Sequence, residues 1–418
     1  MDALTEIIAG LADMQTELAE FYKDLHRHPE LSMQEQRTSM RAAERLRAEG
    51  YTVTTGVGRT GVVGILDNGV GPTVMVRADI DALPVREQTG LEYASTATGV
   101  DLDGEPVHVM HACGHDMHVT CLSGAAALLA RNRGRWAGRL MMIFQPAEEI
   151  GGGAQGMIED GLFDRFGKPE VVLGQHVTPA PAGKIGWRSG IAMAAADSFE
   201  IKLFGRGSHG SRPQAGIDPV VMAASVVLRL QTIVAREVDP SEQVVVTVGS
   251  LHSGTKENII PDQASIKLNV RTFSPDIRQR VLDSIRRIAT AEATASNAPR
   301  PPEFRPLNQF PMLVNDPEAM GRTINALTRH FGEKRVVERP PVNASEDFGL
   351  FGTAAGVPSV FWTFGGLDPA YVEAAEREGR LPEIPVNHSP LFAPIIEPTI
   401  STGVEALVAG ALTWLRSR

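Results

Sequence analysis

The sequence predicts an α/β protein that contains a mixed sheet with helices on both faces and an inserted ferredoxin-like βαββαβ domain. Helix and strand patterns alternate up to about residue 187 and again after residue 308, whereas the order between them is βαββαβ. The chain has 418 residues, 43% of them hydrophobic, which is enough for two or three domains. We therefore predict a discontinuous larger domain, residues 1–187 and 309–418, and an inserted smaller domain, residues 188–308.

The first part of the chain supplies the helices and strands of the larger domain. Residues 13–49 are typical of two helices separated at HRHPELS, where Pro29 ends the first helix and Ser32 can cap the second. Two apolar runs then flank DNGVG in GVVGILDNGVGPTVMVRA, a pattern that predicts a β-hairpin and hence a mixed sheet. Helix and strand patterns alternate further along in CLSGAAALLARNRG, RLMMIF, GAQGMIEDGLF and EVVLG.

The inserted region has four predicted strands and two predicted helices. DSFEIKLFG, QVVVTVGSLH, ASIKLNVRTF and PEFRPLNQF fit strands, and the helices run from DPVVMAAS and SPDIRQRV. After residue 308 the larger domain resumes with the strand PSVFWTF and the closing helix TISTGVEALVAGALTWLRSR.

Composition excludes several classes of partner. The net charge is -10 and no long Lys/Arg tract is present, which disfavours nucleic acid and anionic lipid as partners. The run VVMAASVVL is of core-helix size, so no membrane span is expected. The acidic N-terminus lacks the basic and apolar regions of a signal peptide, and 2 cysteines cannot form a disulfide framework. We expect a cytoplasmic protein.

The stretch HACGHDMH, residues 111–118, places three of the 11 histidines around one of the 2 cysteines. A structural zinc site usually draws two pairs of Cys or His ligands, and the chain has no CxxC pair. A catalytic interpretation therefore fits this stretch better.

Other chemically useful side chains follow predicted strands, where open α/β sheets bind their ligands. They are Asp79 and Asp81 after TVMVRA, Gln145, Glu148 and Glu149 after RLMMIF, and Gln175 and His176 after EVVLG; His388 lies in the late loop PVNHSPLF. A thiolate, a carboxylate and three imidazoles could share two divalent cations for metal-assisted hydrolysis. Of the two adjacent glutamates, one could ligate while the other transfers a proton.

Each signal also has a structural interpretation. Adjacent glutamates are common at the start of a solvated helix, isolated histidines often satisfy structural hydrogen bonds, and Cys113 could be merely buried, as we expect for Cys121. His26, His28, His252 and His330 are expected to be structural or on the surface. The catalytic interpretation rests on the coincidence of these signals.

Eight ordered motifs resemble one family. They are RADIDALP, HACGHDMH, FQPAEEIGGGAQGMIEDG, GQHV, GRGSHGSRPQAGIDP, ENIIPDQASIKLNVRTF, SEDFG and NHSPLF. Together they resemble the hippurate hydrolase, aminoacylase and auxin-conjugate amidohydrolase group of the dinuclear metallopeptidases, family twenty. The match runs from LHRHPELS to the last loop.

The resemblance implies a role for each matching residue of the larger, catalytic domain. Cys113 would bridge two divalent metal ions, with Glu148 as the general base. The remaining implied ligands are His115, Glu149, His176 and His388. Because thiolate and imidazole favour Zn, Co or Ni while carboxylate and water allow Mn, the metal stays open.

The resemblance also implies that the insert is a lid through which the chain forms a homodimer or a tetramer. His209 would reach a neighbouring active site and stabilise the tetrahedral oxyanion, and Asn258 and Arg271 would hold the substrate carboxylate. Relatives commonly have a Pro-His pair after the lid histidine. This chain has Gln214 in place of the histidine of that pair, so its substrate preference could differ.

Two further motifs have less defined roles. Asp79 and Asp81 occupy the place of His-x-Asp in more distant relatives, so we expect them to support the ligands or the structure. Ser345, Glu346 and Asp347 of SEDFG could form only a helix cap with an acidic first turn.

The leading functional hypothesis is metal-dependent hydrolysis of the amide bond of N-acyl amino acids. A dipeptidase or carboxypeptidase with the same site is the nearest alternative. A cysteine hydrolase with Cys113 as nucleophile and His115 as base is mechanistically distinct. A non-catalytic binder of acyl amino acids is the third alternative.

Overall fold

The computed structural model describes residues 3–418, which divide into two compact units. Within the described residues, unit 1 comprises residues 3–192, Val314–Pro340 and Asp347–Arg418, and unit 2 comprises Met193–Leu313 and Pro341–Glu346. Unit 2 thus includes a short return segment, 341–346, that the sequence pattern had placed in the larger domain.

The helices and strands follow the predicted alternation. The helices are α1 (Ala3–Ala9), α2 (Gln15–Arg27), α3 (Gln36–Ala48), α4 (His115–Arg131), α5 (Gly153–Glu159), α6 (Leu162–Phe166), α7 (Pro219–Arg236), α8 (Pro275–Ala295), α9 (Pro317–Phe331), α10 (Gly349–Ala355), α11 (Pro369–Arg377) and α12 (Thr399–Trp414). The strands are β1 (Thr52–Val57), β2 (Gly61–Asn68), β3 (Thr73–Asp79), β4 (Thr98–Val100), β5 (Pro106–His108), β6 (Trp136–Gln145), β7 (Val171–Pro181), β8 (Ile185–Trp187), β9 (Gly190–Met193), β10 (Ala195–Phe204), β11 (Ser208–His209), β12 (Val244–Ser253), β13 (Ile259–Ile260), β14 (Gln263–Thr272), β15 (Glu303–Phe310), β16 (Leu313–Asn315), β17 (Val336–Glu338), β18 (Ser359–Leu367) and β19 (Arg416–Ser417).

Unit 1 is built on a nine-stranded mixed sheet in the order β1-β2-β6-β3-β7-β18-β8-β17, with β19 beside β6. The central strands β6, β3, β7 and β18 are parallel, whereas β1, β2 and β6 pair antiparallel. Apolar runs such as MMIF in β6 are fully buried, as expected where helices cover both faces of a parallel sheet. The α/β prediction with a mixed sheet is confirmed.

The predicted hairpin across DNGVG is wrong. Both apolar runs are strands, β2 and β3, but β6 lies between them and pairs with each. The chain reverses direction at these turn residues, as predicted. A turn does not determine, however, whether the two strands that it joins pair with each other. The hairpin formed in this region instead joins β1 to β2.

The predicted cap of the second helix is also wrong. Helix α3 begins at Gln36, and its N-cap residue, Glu35, makes no side-chain capping bond. Ser32 instead donates its hydroxyl to Asp81 Oδ2 over 2.7 Å. The break between α2 and α3 at HRHPELS is where the sequence placed it.

Unit 2 has the predicted βαββαβ order, with four antiparallel strands arranged β12-β14-β10-β15. Helix α7 is long and apolar enough to cross a membrane by composition, although only 33% of that window is buried. It packs Met222, Val226, Leu230 and Ile233 into the core of unit 2, the arrangement typical of an amphipathic helix on a sheet.

Candidate metal centre

Three neighbouring parallel strands of unit 1 bring polar residues to one edge of the sheet. Strand β3 ends at Asp79, β6 ends at Gln145 just before the segment Pro146–Glu149, and β7 carries His176. Since β6, β3 and β7 are adjacent and parallel, their carboxyl ends open onto a common crevice. This topology explains how residues about 100 positions apart in the chain come to share one site.

The HACGH segment is held close to β7 by Gly114. This residue has φ 82°, a left-handed conformation that glycine adopts without strain, and α4 begins directly after it. A Cβ at Gly114 would lie 2.5 Å from Val177 Cγ1. Glycine therefore allows Cys113 and His115 to approach the strand that carries His176.

The late loop that carries His388 is held beside the HACGH segment and β7 by three hydrogen bonds to backbone oxygens. His388, with φ 73°, donates its N–H to Ala112 O over 2.8 Å. Its neighbour Asn387 donates Nδ2 to Cys113 O over 3.1 Å and to Val177 O over 3.2 Å. Asn387 was not among the predicted site residues, and its adjacency to His388 in NHSPLF is the sequence signal that marks it.

The structure brings all five predicted metal ligands together within unit 1. Cys113 Sγ lies 3.5 Å from His176 Nε2. Glu149 places one carboxylate oxygen 3.8 Å from His115 Nε2 and the other 3.4 Å from His388 Nε2. Glu148 is buried, and its carboxylate belongs to the same cluster as His115 and Glu149, whose ligand atoms lie within 4.8 Å of one another.

Two of the groups of potential ligand atoms together contain all five predicted ligands, which suits two cations. Cys113, Glu149 and His388 form one group, within 4.8 Å of one another. The other group contains His115 and His176 together with Asp79 and His118, and their ligand atoms also lie within 4.8 Å of one another. The 3.5 Å contact with His176 places the Cys113 thiol beside the second group as well, where it could serve both positions.

His118 is already engaged in hydrogen bonds through both ring nitrogens. Its Nδ1 contacts Asp79 Oδ1, and its Nε2 accepts the Val177 N–H over 2.7 Å. Asp79 is in turn bound by Arg77 Nη1 at 2.8 Å. His115 and His176 are therefore the members of this group that remain free to ligate.

Hydrogen bonds aim the free nitrogens of His115 and His176 into the site. His115 Nδ1 lies 3.1 Å from Asp81 Oδ1, and His176 Nδ1 lies 2.7 Å from Val177 O. Each contact uses the Nδ1–H and leaves the Nε2 lone pair for a metal, as supporting partners of ligating histidines do. Asp81 also accepts the Glu149 N–H over 3.0 Å, so one carboxylate orients two predicted ligands.

Two buried atoms support the fit of a cation most directly. His115 Nε2 and Glu149 Oε1 have no hydrogen-bond partner within residues 3–418 and face each other at 3.8 Å. An unpaired buried polar atom costs about 1–3 kcal/mol. A divalent cation would satisfy both atoms, and the donor set of thiolate, imidazole and carboxylate suits such an ion.

The electrostatic environment attracts positive charge. Neighbouring carboxylates of Asp79, Asp81 and Glu149 raise the pKa of His115 to about 10 against the opposing effect of burial. Burial, followed by the charges of Glu149 and Glu148, raises the pKa of the Cys113 thiol well above its usual range. Burial lowers the pKa of His176 to about 4, so this imidazole is neutral and ready to ligate.

Metal loading is therefore expected to release about two protons per chain at about pH 7, because ligands must be deprotonated to bind. One comes from Cys113 and one from His115, whose pKa values both lie above that pH, whereas His176 has none to lose. Titration calorimetry in buffers of different ionisation enthalpy measures the number. Cys113→Ala should release one proton fewer, and binding without proton release would contradict this electrostatic picture.

The predicted oxyanion-stabilising His209 and the predicted substrate-binding residues Asn258 and Arg271 lie in unit 2. His209 is exposed, and its Nδ1 accepts the Ser211 N–H over 3.1 Å. Arg271 donates Nε to Asn269 Oδ1 over 3.0 Å and contacts Asn343 O through Nη1. Asn258 O accepts the Gly210 N–H over 2.7 Å, which joins the segments that carry Asn258 and His209. The contacts of His209, Asn258 and Arg271 with the substrate stay predictions.

Two motif interpretations can be compared with the structure. The predicted helix cap at SEDFG is wrong, because α10 begins at Gly349 without an acidic first turn and its N-cap residue is Phe348. Ser345 instead donates its hydroxyl to Ala194 O over 2.9 Å. His26 is structural, as expected: it is buried between Asp116, at 2.6 Å, and Glu87, at 3.0 Å.

Comparisons with known proteins agree with this arrangement. The family model described as Peptidase family M20/M25/M40 matches residues 75–378. The chain is 38% identical over 351 residues to a hippurate hydrolase of Campylobacter jejuni, covering 82% of this chain and 87% of that protein. It is 37% identical over 356 residues to thermostable carboxypeptidase 1 of Saccharolobus solfataricus, covering 84% and 86%.

The solved structures that resemble this chain include a dinuclear metal-binding peptidase of Bacillus subtilis. The TM-score is 0.73 at 30% identity, and the match covers 96% of this chain and 98% of the other. The similarity therefore spans both units.

Proposed function

The chain belongs to peptidase family M20/M25/M40, and we propose that it is a metallo-amidohydrolase that cleaves N-acyl amino acids into a carboxylic acid and a free amino acid. The observation that carries this proposal is the convergence of Cys113, His115, Glu149, His176 and His388 beside the buried Glu148.

Two divalent cations held by these residues would polarise the scissile carbonyl and lower the pKa of water, the usual chemistry of a two-metal hydrolase. Cys113, His115 and His176 would hold one cation, and Cys113, Glu149 and His388 the other. Zn, Co, Ni and Mn all fit this mixture of thiolate, imidazole and carboxylate.

Glu148 is the general base of the proposed reaction. Its carboxylate lies among the potential ligand atoms of His115 and Glu149 but is not needed to complete either group of ligands. It would take a proton from the attacking water and pass it to the leaving amine nitrogen. This division of labour between adjacent glutamates matches the one inferred from the sequence.

The proposal keeps the roles that the family motifs imply for three residues of the inserted domain. Arg271 and Asn258 hold the carboxylate of the amino acid, and His209 of a neighbouring subunit donates a hydrogen bond to the oxyanion. This arrangement requires at least a homodimer. The low cysteine content and the absence of clustered positive charge support a cytoplasmic protein that acts on a small molecule.

A dipeptidase or carboxypeptidase activity is the alternative, because a carboxypeptidase is among the relatives. Both activities break an amide at the nitrogen of an amino acid that retains its carboxylate, and they differ on the acyl side. A free dipeptide brings an ammonium group close to the reacting carbonyl, and burying that charge without a partner costs free energy.

A substrate panel tests the proposal. We expect N-benzoyl and N-acetyl amino acids to be hydrolysed with kcat/KM at least about tenfold above that of matched free dipeptides, since burying an unpaired ammonium group costs more than about 1.4 kcal/mol. Metal analysis of the same sample should give two ions per chain. Faster hydrolysis of dipeptides would favour the peptidase, and inactivity across the panel would favour a non-catalytic binder.

A further inference from the structure

Asp347 of the SEDFG motif is a fully buried carboxylate in unit 1 with both oxygens engaged. Its Oδ1 accepts from Gln145 Nε2 at 2.8 Å and from Arg77 Nη2 at 3.3 Å. Its Oδ2 accepts from Ala154 N and Gln145 Nε2, each at 3.0 Å. These three donors lie on β3, on β6 and on the helix that follows the Glu148–Glu149 turn.

The first connection runs from Asp347 through Arg77 to the histidines. Arg77 is also buried, and its Nη1 donates to Asp79 Oδ2 over 2.8 Å. Asp79 contacts His118, which accepts the backbone N–H of Val177, next to His176. A chain of buried polar contacts therefore joins Asp347 to the peptide bond between His176 and Val177.

The second connection runs to the turn that carries Glu148 and Glu149. Gln145 immediately precedes this turn, and its Oε1 accepts from Arg77 Nε over 2.7 Å. Ala154 closes the turn on the other side, where the backbone is so tightly packed that a Cβ on Gly153 would lie 1.5 Å from Pro146 O. One carboxylate thus fixes both ends of the turn.

We propose that Asp347 is a positioning residue of the metal centre, which fixes the His176 side through Arg77 and the Glu148–Glu149 turn through Gln145 and Ala154. This inference rests on the proposed function. An ordinary buried ion pair would stabilise only the fold, whereas the two connections from Asp347 end at the peptide bond after His176 and at both ends of the turn that carries Glu148 and Glu149.

The variant Asp347→Asn tests this role. Asparagine has the same shape but one acceptor oxygen, so it cannot accept from Arg77, Gln145 and Ala154 together. We expect its metal affinity to fall about 10–100-fold, the usual effect of removing a partner of metal ligands. The kcat of the metal-saturated variant should fall while KM changes little, because no contact to the substrate is removed.

The readout that separates positioning from stability is the Co(II) absorption spectrum of the reconstituted protein, together with calorimetric titration of the metal-free chain. Asp197→Asn is a matched control in unit 2, where Asp197 is buried and accepts from Arg278 twice at 2.7 Å and from Gln309 at 3.2 Å. The control should lower the melting temperature without changing the Co(II) spectrum or the metal affinity.

A second variant covers the case in which Asp347→Asn does not fold. Gln145→Met keeps the contacts of Asp347 with Arg77 and Ala154 and removes its connection to the first end of the turn, so kcat should fall with KM unchanged. Wild-type metal affinity, Co(II) spectrum and kcat in Asp347→Asn, or wild-type kcat in Gln145→Met, would overturn the inference. Failure of the wild-type chain to bind two metals would overturn the proposed function instead.

Discussion

Replacement of Glu148 with glutamine is expected to lower kcat by about 10²–10⁴-fold, the range that a positioned acid–base group contributes. Glutamine has nearly the same shape but cannot take a proton from water or return one to the leaving amine. Because neither proposed set of metal ligands includes Glu148, the variant should still bind two metal ions. The loss should appear in kcat more than in KM, since the carboxylate acts mainly in the transition state.

The adjacent glutamate supplies the control. Glu149 places its two oxygens 3.8 Å from His115 Nε2 and 3.4 Å from His388 Nε2, so Glu149→Gln should bind metal more weakly. Parallel measurements of kcat, KM and metal content on the two variants therefore distinguish the general base from the metal ligand. A Glu148→Gln variant with wild-type turnover would refute the assigned base, and one that loses metal would make Glu148 a ligand.

The proximity of Glu149 and His176 could be predicted from the sequence, because it follows from the topology of the sheet. Asp79, Glu149 and His176 follow or lie on strands that the apolar runs identify, and parallel strands expose their carboxyl ends at one edge. The family motifs then distinguish ligands from supporting residues. The prediction of His388 as a ligand depended on its motif alone, because a loop bounded by prolines does not reveal how far His388 lies from a strand end.

The contacts that hold the ligands in place could not be predicted from the sequence in this way. Asp347 contacts Arg77 across 270 positions, and Asn387 contacts Cys113 O across 274. No local pattern specifies such pairs, since each depends on how the sheet is ordered. The wrong prediction of a β2–β3 hairpin has the same origin. The turn residues of DNGVG were correctly recognised, but the position of β6 between β2 and β3 is set by tertiary structure.

Prolonged chelation is expected to abolish hydrolysis completely, and added Zn, Co, Ni or Mn should restore it. The metal model requires this result because the residues around the carbonyl cannot replace the two cations as Lewis acids. A cysteine hydrolase would keep its activity after chelation. Its nucleophile would also need a lowered pKa, whereas burial and the charges of Glu149 and Glu148 raise the pKa of Cys113.

Thiol chemistry provides the reciprocal experiment. Cys113 and Cys121 are both buried, and burial raises the pKa of each thiol, so alkylation at about pH 7 should leave activity largely intact. Cys113→Asp replaces the thiolate with another anionic ligand and should retain measurable metal-dependent turnover, whereas a nucleophilic cysteine would leave none. Cys121→Ala is the control and should behave as wild type, since Cys121 contacts Ile400 O in the core. Activity that survives chelation but is lost on alkylation would replace the metal mechanism with covalent catalysis by Cys113.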